Sequence, residues 1–265
     1  RTRKNSSGYA LDAYLASGDP LDLVIGSEGT LGVVTEVEWR LDPVPPCRGG
    51  LRIALESLDS LTAAVESLLR FDPSAVELLD RTFLELVGEG GAEAVLLVEV
   101  ERETPEEVKA AVAAAAKAVR HLAAAVDTGL TPDATQRLWA IRHAASPLLA
   151  GLSEERRSLQ VIEDACVPVD RMSEYVRAVR ERASARSVPV VIFGHAGDGH
   201  VHVNLLPRVT AEGWEADISL LLEEVTDEVV RLGGTPSGEH GDGRLRAGLL
   251  QRVHGREIMS LFERV

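Results

Sequence analysis

Three histidines and an asparagine, His195, His200, His202 and Asn204, fall within ten residues of the stretch VVIFGHAGDGHVHVNLL at 190–206. Neutral imidazole offers a lone pair near physiological pH, which makes histidine a common metal ligand. The flanks, 190–193 on one side and Val201, Val203 and Leu205 on the other, are apolar and mostly β-branched, so the pattern reads as strand, Gly-Asp-Gly turn, strand. In an extended second arm His200, His202 and Asn204 share one face, while Val201, Val203 and Leu205 share the other. His195 lies just before the turn, where glycines let the chain bend toward the polar face. A single such histidine is more often an exposed hairpin residue; three together favour a site.

Glycine, acid and histidine cluster once more, in TPSGEHGDGR at 235–244, where glycines on both sides of Glu239-His240 point to a constrained loop. With His195 and His202, Glu239 completes a two-histidine, one-carboxylate set. Such a set binds zinc and leaves a position open for water or a substrate oxygen. Arg142, in a helically spaced segment at 134–152 that also carries Trp139, His143 and Ser146, reads either as a solvated face residue, the commoner case, or as a fork for a carboxylate.

The elements that must position these residues follow from the patterning. Short strands are predicted over 51–55, 75–79, 94–100 and 159–168. Helices are predicted from Asp59 as N-cap, from Thr104-Pro105-Glu106-Glu107, over 171–187, and over 214–232 with Gly233-Gly234 ending it. The order strand, helix, strand, strand, helix, strand is that of a ferredoxin-like unit: an α+β fold with an antiparallel sheet, helices on one face and additional helices beyond it. Before it, residues 1–46 are glycine-punctuated. They contain an alternating strand candidate at 33–41 that Asp42-Pro43-Val44-Pro45-Pro46 ends, marking a boundary between 1–46 and 47–265.

The chain has 265 residues and a formal net charge of −14, and no basic run, so it lacks the basic face that nucleic acid or an anionic membrane surface requires. No apolar run approaches the roughly 20 residues of a membrane helix. Cys47 and Cys166 match no CxxC pattern, and the expected setting is cytoplasmic. Opening on Arg1 and closing inside a helical pattern, the chain reads as part of a longer one.

The segments KNSSGY at 4–9, GSEGTLGVVTE at 26–36, GHAGDGHVHVN and SGEHGDG resemble the FAD-linked oxidases, the D-lactate, glycolate and D-2-hydroxyglutarate dehydrogenases of the vanillyl-alcohol-oxidase type. The resemblance implies that 1–46 is the end of an FAD-binding domain, with flavin contacts around Asn5, Gly8, Glu28, Gly32 and Val33, and that 47–265 is the substrate and metal domain. It further implies His195, His202 and Glu239 as ligands of a divalent metal, zinc first, and His240 as the general base. Asn204 would contact substrate, and Arg142 in LWAIRHAAS, with Ser146 beside it, would hold the substrate carboxylate. The implied partners are a small 2-hydroxy acid, the FAD domain of the parent chain and an iron–sulfur electron acceptor.

Position 200 departs from the family form GDGN, which has asparagine there, so His200 reads as an extra ligand or a substrate contact. Ile162 stands where some members have a lysine, which speaks against a second substrate carboxylate. The activity expected of the parent is oxidation of a D-2-hydroxy acid to the 2-oxo acid by hydride transfer to FAD, the 265 residues alone being inactive. A metal-dependent hydrolase, with His240 or Asp198 as base, and a non-catalytic metal-stabilised module are the rivals. On 51–265 alone hydrolase and dehydrogenase stand level, and residues 1–46 tilt the balance toward the dehydrogenase.

Overall fold

The computed structural model describes residues 2–153 and 155–265, with the side chains of Ala145 and Ser146 outside that description. Its strands are β1 (Cys47–Leu55), β2 (Ala75–Asp80), β3 (Ala94–Arg102), β4 (Ala125–Gly129), β5 (Val190–His195) and β6 (His202–Leu205). They form one sheet in the order β4-β1-β3-β2-β5-β6, with every pair antiparallel. The first four give the expected ferredoxin-like arrangement, and the histidine hairpin β5-β6 extends it beyond β2.

The helices follow in chain order as α1 (Leu11–Ser17), α2 (Leu21–Val24), α3 (Asp59–Leu69), α4 (Arg81–Leu86), α5 (Pro105–Val119), α6 (Pro132–His143), α7 (Ala145–Ala150), α8 (Met172–Ala185), α9 (Trp214–Arg231), α10 (Gly243–Arg246) and α11 (Leu250–Phe262). Among the described residues, no helix is long and apolar enough to cross a membrane.

Period-two alternation decides which face each strand residue takes. Leu51, Ile53, Leu55, Val76, Leu78, Leu96, Val98, Ile192, Val203 and Leu205 belong to the main core, into which α3, α5, α8 and α9 pack Leu61, Val65, Val112, Tyr175, Val176, Leu221 and Val225. Removing one of these side chains to alanine costs about 2–5 kcal/mol. The opposite face carries a thinner layer, in which Leu79, Val95, Leu97, Val191 and Phe193 meet Phe83 and Leu84 of α4, Leu149 of α7 and the half-buried Trp139 and Ile141 of α6. The site lies at the edge of this thinner layer.

Local chemistry accounts for the element ends. The Thr104 hydroxyl accepts from the Glu107 N–H while the Glu107 carboxylate accepts from the Thr104 N–H, a capping box with Pro105 in the first turn. Asp59 does not cap α3. It is the first residue of that helix, its N–H donates to Ser57 Oγ, and its carboxylate pairs with Arg177.

Two predicted strands do not form. Residues 33–41 are irregular, and Val33, Trp39 and Leu41 are 88 %, 79 % and 86 % exposed, because no described strand lies alongside to pair with them. Residues 159–168 pair only at isolated points, Leu159 with Leu205 and Cys166 with both His200 and Thr235. Between those points the backbone turns to aim Glu163 and Asp164 at the 235–243 loop, and a continuous ladder would turn one of the two away.

Candidate metal and substrate site

The hairpin presents its histidines by register. Phe193 pairs with His202, so His202 and Asn204 project from the thinner face while Val203 and Leu205 enter the main core. His195 is the last residue of β5. Gly199 makes the return at φ +72°, where a Cβ would sit 2.0 Å from the Val167 carbonyl oxygen, so only glycine fits. Contrary to the exposed-hairpin alternative, His200 is fully buried and His202 nearly so.

Each imidazole is oriented by an acceptor behind it, the arrangement that fixes tautomers in metal sites. His195 Nδ1 lies 2.5 Å from Glu77 Oε1, His200 Nε2 lies 2.9 Å from Asp164 Oδ1, and His202 Nδ1 lies 3.0 Å from the Glu163 carbonyl oxygen. A carbonyl oxygen can only accept, so the proton of neutral His202 is on Nδ1 and its lone pair on Nε2. The same reasoning leaves lone pairs on His195 Nε2 and His200 Nδ1. All three point at one carboxylate: His195 Nε2 is 3.5 Å and His202 Nε2 3.8 Å from Glu239 Oε1, and His200 Nδ1 is 3.8 Å from Glu239 Oε2.

Glu239 and His240 ride on the loop after α9. The buried Asp164 carboxylate gathers that loop by accepting from Ser237 Oγ at 2.5 Å and from the backbone N–H groups of Glu239 at 3.2 Å and His240 at 2.9 Å. Burial alone would raise its pKa, but the bonds from His200, Ser237 and the His240 N–H outweigh it and hold the carboxyl at about 2. On the loop's far side the Glu28 carboxylate accepts from the Asp242 and Gly243 N–H groups at 2.7 and 2.8 Å. Asp242 in turn accepts from the Gly8 N–H at 2.9 Å and Ser7 Oγ at 3.0 Å.

His240 is half exposed, stacks on His202 with ring centroids 5.4 Å apart, and places Nδ1 2.9 Å from Glu163 Oε2. That hydrogen bond raises the His240 pKa, as the one to Glu77 raises that of His195. Glu77 and Glu163 move the other way: burial would raise them, and bonds from His195 and Arg142, and from His202 and His240, pull them below the usual range.

Of the remaining predicted residues, Arg142 donates from Nε to Glu77 at 2.8 Å and lies 4.8 Å over the Phe193 ring, so it braces the His195 acceptor. Its terminal fork makes no hydrogen bond among the described residues. Asn204 is buried, its Oδ1 accepts from Ser158 Oγ at 3.0 Å, and its Nδ2 has no hydrogen-bond partner among the described residues. Ser146 lies in α7, its side chain outside the described residues. Asn5 Oδ1 accepts from Thr235 Oγ1 at 2.9 Å and from the Ser7 N–H at 3.1 Å. Asn5, Gly8 and Glu28 thus tie residues 2–46 to the 235–243 loop, beside a cleft of about 300 Å³ that Gly8, Tyr9, Glu28 and Phe262 help to line. Gly32 has open space around it and Val33 faces solvent. Ile162 is in the main core and does not face the site.

Sequence reasoning missed Glu77, Glu163, Asp164, Arg246 and Lys4. The acids had a signal, since each sits inside an otherwise apolar run where a charge must find a partner. Arg246 is buried, donates to the Gly241 carbonyl at 2.8 Å and lies 3.6 Å from Glu163 and 3.7 Å from Asp164. Lys4 Nζ lies 2.8 Å from Glu239 Oε2.

The donor set fits a divalent ion. Potential ligand atoms of His195, His200, His202 and Glu239 all lie within 4.8 Å of one another. Zinc bonds of about 2.0–2.1 Å place tetrahedral donors roughly 3.3 Å apart, so the 3.5–3.8 Å separations to Glu239 need only a small contraction.

Residues 50–265 match the model of the FAD linked oxidases, C-terminal domain. A D-lactate dehydrogenase of Archaeoglobus fulgidus is 32% identical over 99% of this chain and 58% of its own length. The glycolate oxidase subunit GlcD of Bacillus subtilis is 30% identical over 92% of this chain and 53% of its own, and a D-2-hydroxyglutarate dehydrogenase of Xanthomonas citri is 30% identical over 97% and 54%. The chain therefore spans about half the length of the curated relatives it matches. In fold it is similar to 4-ethylphenol oxidase from Gulosibacter chungangensis, with a TM-score of 0.60 at 12% identity over 85% of this chain and 52% of that one. Alkyldihydroxyacetonephosphate synthase gives 0.57 at 13% over 90% and 49%. With the predicted motifs folded into one site and the family match covering that site, the chain belongs to the FAD-linked oxidases, whose C-terminal domain its residues 50–265 form.

Proposed function

We propose that this chain is the substrate and metal half of a flavin-dependent dehydrogenase that oxidises a D-2-hydroxy acid to the 2-oxo acid. The observation that carries the reading is the convergence of three imidazole lone pairs and Glu239 beside His240, itself backed by Glu163, in a member of this family. Residues 2–46 fit one wall of a flavin site, with the exposed Gly32 and Val33 next to glycine-rich turns. When bound, FAD supplies the two-electron acceptor, and a divalent ion held by His195, His202 and Glu239 supplies positive charge that lowers the pKa of the substrate hydroxyl.

The chain's own residues do the rest. The Arg142 fork binds the substrate carboxylate and the Asn204 amide donates a second hydrogen bond, which together orient the α-carbon. His240 takes the hydroxyl proton at Nε2, because its Nδ1–H is committed to Glu163. Glu163 holds that tautomer and stabilises the imidazolium that forms. Arg246 offsets the adjacent charges of Glu163 and Asp164, so the loop can carry a base and a ligand side by side.

The test uses the FAD-loaded parent protein, with its FAD-binding domain in place. Anaerobic addition of D-lactate, glycolate or D-2-hydroxyglutarate should bleach the flavin absorbance with one of the three, and His240→Ala should slow that bleaching by about 10²–10⁴-fold. Bleaching by none of the three, with FAD bound and metal present, rejects the reading.

A further inference from the structure

We infer that His200 is a fourth protein donor to the metal, binding through Nδ1, so that the ion sits among three imidazoles and one carboxylate. The inference rests on the metal reading above and goes beyond its His195, His202 and Glu239 set. His200 is fully buried, and its Nδ1 has no hydrogen-bond partner among the described residues. A histidine kept only for packing would satisfy both ring nitrogens, since an unpaired buried acceptor costs about 1–3 kcal/mol.

The orientation is enforced from three sides. Nε2 is fixed 2.9 Å from Asp164 Oδ1, and turning the ring over would exchange that nitrogen for a carbon. On another side stands Gly238, where a Cβ would come within 2.8 Å of the ring's Cδ2, so only glycine there leaves the imidazole this position. The ring centroid is 4.8 Å from that of His202 and 5.4 Å from that of His195, which brings the free Nδ1 into the space the other donors surround.

Two consequences follow. Three nitrogen donors favour late first-row ions such as zinc, cobalt and nickel over oxygen-preferring magnesium and calcium. Four protein ligands also close a tetrahedron, so a substrate oxygen can join only by expansion to five or more ligands.

Isothermal titration of the full chain with zinc and with manganese, for the wild type, His200→Asn and His200→Ala, tests the inference. X-ray absorption of the zinc-loaded wild type counts the imidazoles independently of any variant. The expected result is three imidazoles, a zinc affinity at least about tenfold weaker in both variants, and a narrower preference for zinc over manganese. Two imidazoles in the wild type overturn His200 as a ligand while leaving the metal reading intact, as does unchanged zinc affinity in a folded variant. A wild-type chain that takes up neither zinc nor manganese overturns both.

Discussion

The two halves of the site are held in different ways. His195, His200 and His202 sit in or beside the β5-β6 hairpin, where ladder pairing and a packed core behind Ile192, Val203 and Leu205 set their positions. Glu239 and His240 sit on a loop with no regular structure, gathered by one buried carboxylate, Asp164, and braced from the far side by Glu28. On the proposed metal set, a hairpin substitution therefore removes a donor and leaves the frame standing, whereas a change at Asp164 loosens the loop that carries both Glu239 and His240.

The largest expected effect is on metal binding. His202→Ala should weaken zinc by more than about 100-fold, read by chelator competition, while the metal-free melting temperature falls little. Retention of metal through that competition would remove His202 from the ligand set. Next comes Asp164→Asn. An amide keeps one accepting oxygen and puts an NH2 donor where the other stood, so it cannot accept all the bonds that Ser237, His200, Glu239 and His240 give the carboxylate, and leaving donors unpaired beside Arg246 should cost about 3–5 kcal/mol in urea unfolding. If that variant unfolds like the wild type, the loop is held by something else.

Arg142→Ala is expected to act mainly on substrate affinity, raising KM about tenfold to a hundredfold in the FAD-loaded protein. A second effect reaches the hairpin, because Glu77 loses the partner that helps keep its pKa low. Glu28→Gln should be mildest, about 1 kcal/mol from weakening one charge-assisted pair of bonds to the loop.

Protons separate metal-free stability from metal affinity. His195 and His240 have raised pKa values in the folded chain, so their contribution to metal-free stability is full below the unfolded value of 6.5 and is lost as pH rises through the folded values. Metal uptake has the opposite sign, since the ion needs neutral His195 and its affinity should fall as pH drops through the same range. Denaturation and zinc titration across that range should give opposed trends. Parallel trends would mean that His195 is not a ligand. Asp164, depressed to about 2, keeps its contribution until much lower pH.

Legibility in the sequence followed the kind of support each residue has. The hairpin could be read because alternation and a glycine turn are local signals, and the helix start at Thr104-Pro105 was plain for the same reason. Glu239 and His240 stood out as candidates through the glycines around them, the resemblance supplying the role of His240 as base. Glu77, Glu163 and Asp164 were not found, because what brings each into the candidate site is a partner 118, 77 or 36 residues away. The missing strands teach the same lesson from the other side. Residues 33–41 carry strand alternation without a neighbour to pair with among the described residues, and 159–168 gives up its ladder to present two acids. His200 changed most: ambiguous as a letter in GDGH, it becomes a buried ring with one nitrogen anchored and the other unpartnered.

The measurement that bears most directly on the account is anomalous scattering at the zinc edge from crystals of the chain grown with zinc. One ion per chain is predicted, bonded at about 2.0–2.2 Å to Nε2 of His195 and His202 and to the Glu239 carboxylate, with His200 Nδ1 as the fourth donor. Anomalous density absent from that cluster, or located on surface acids alone, would contradict it.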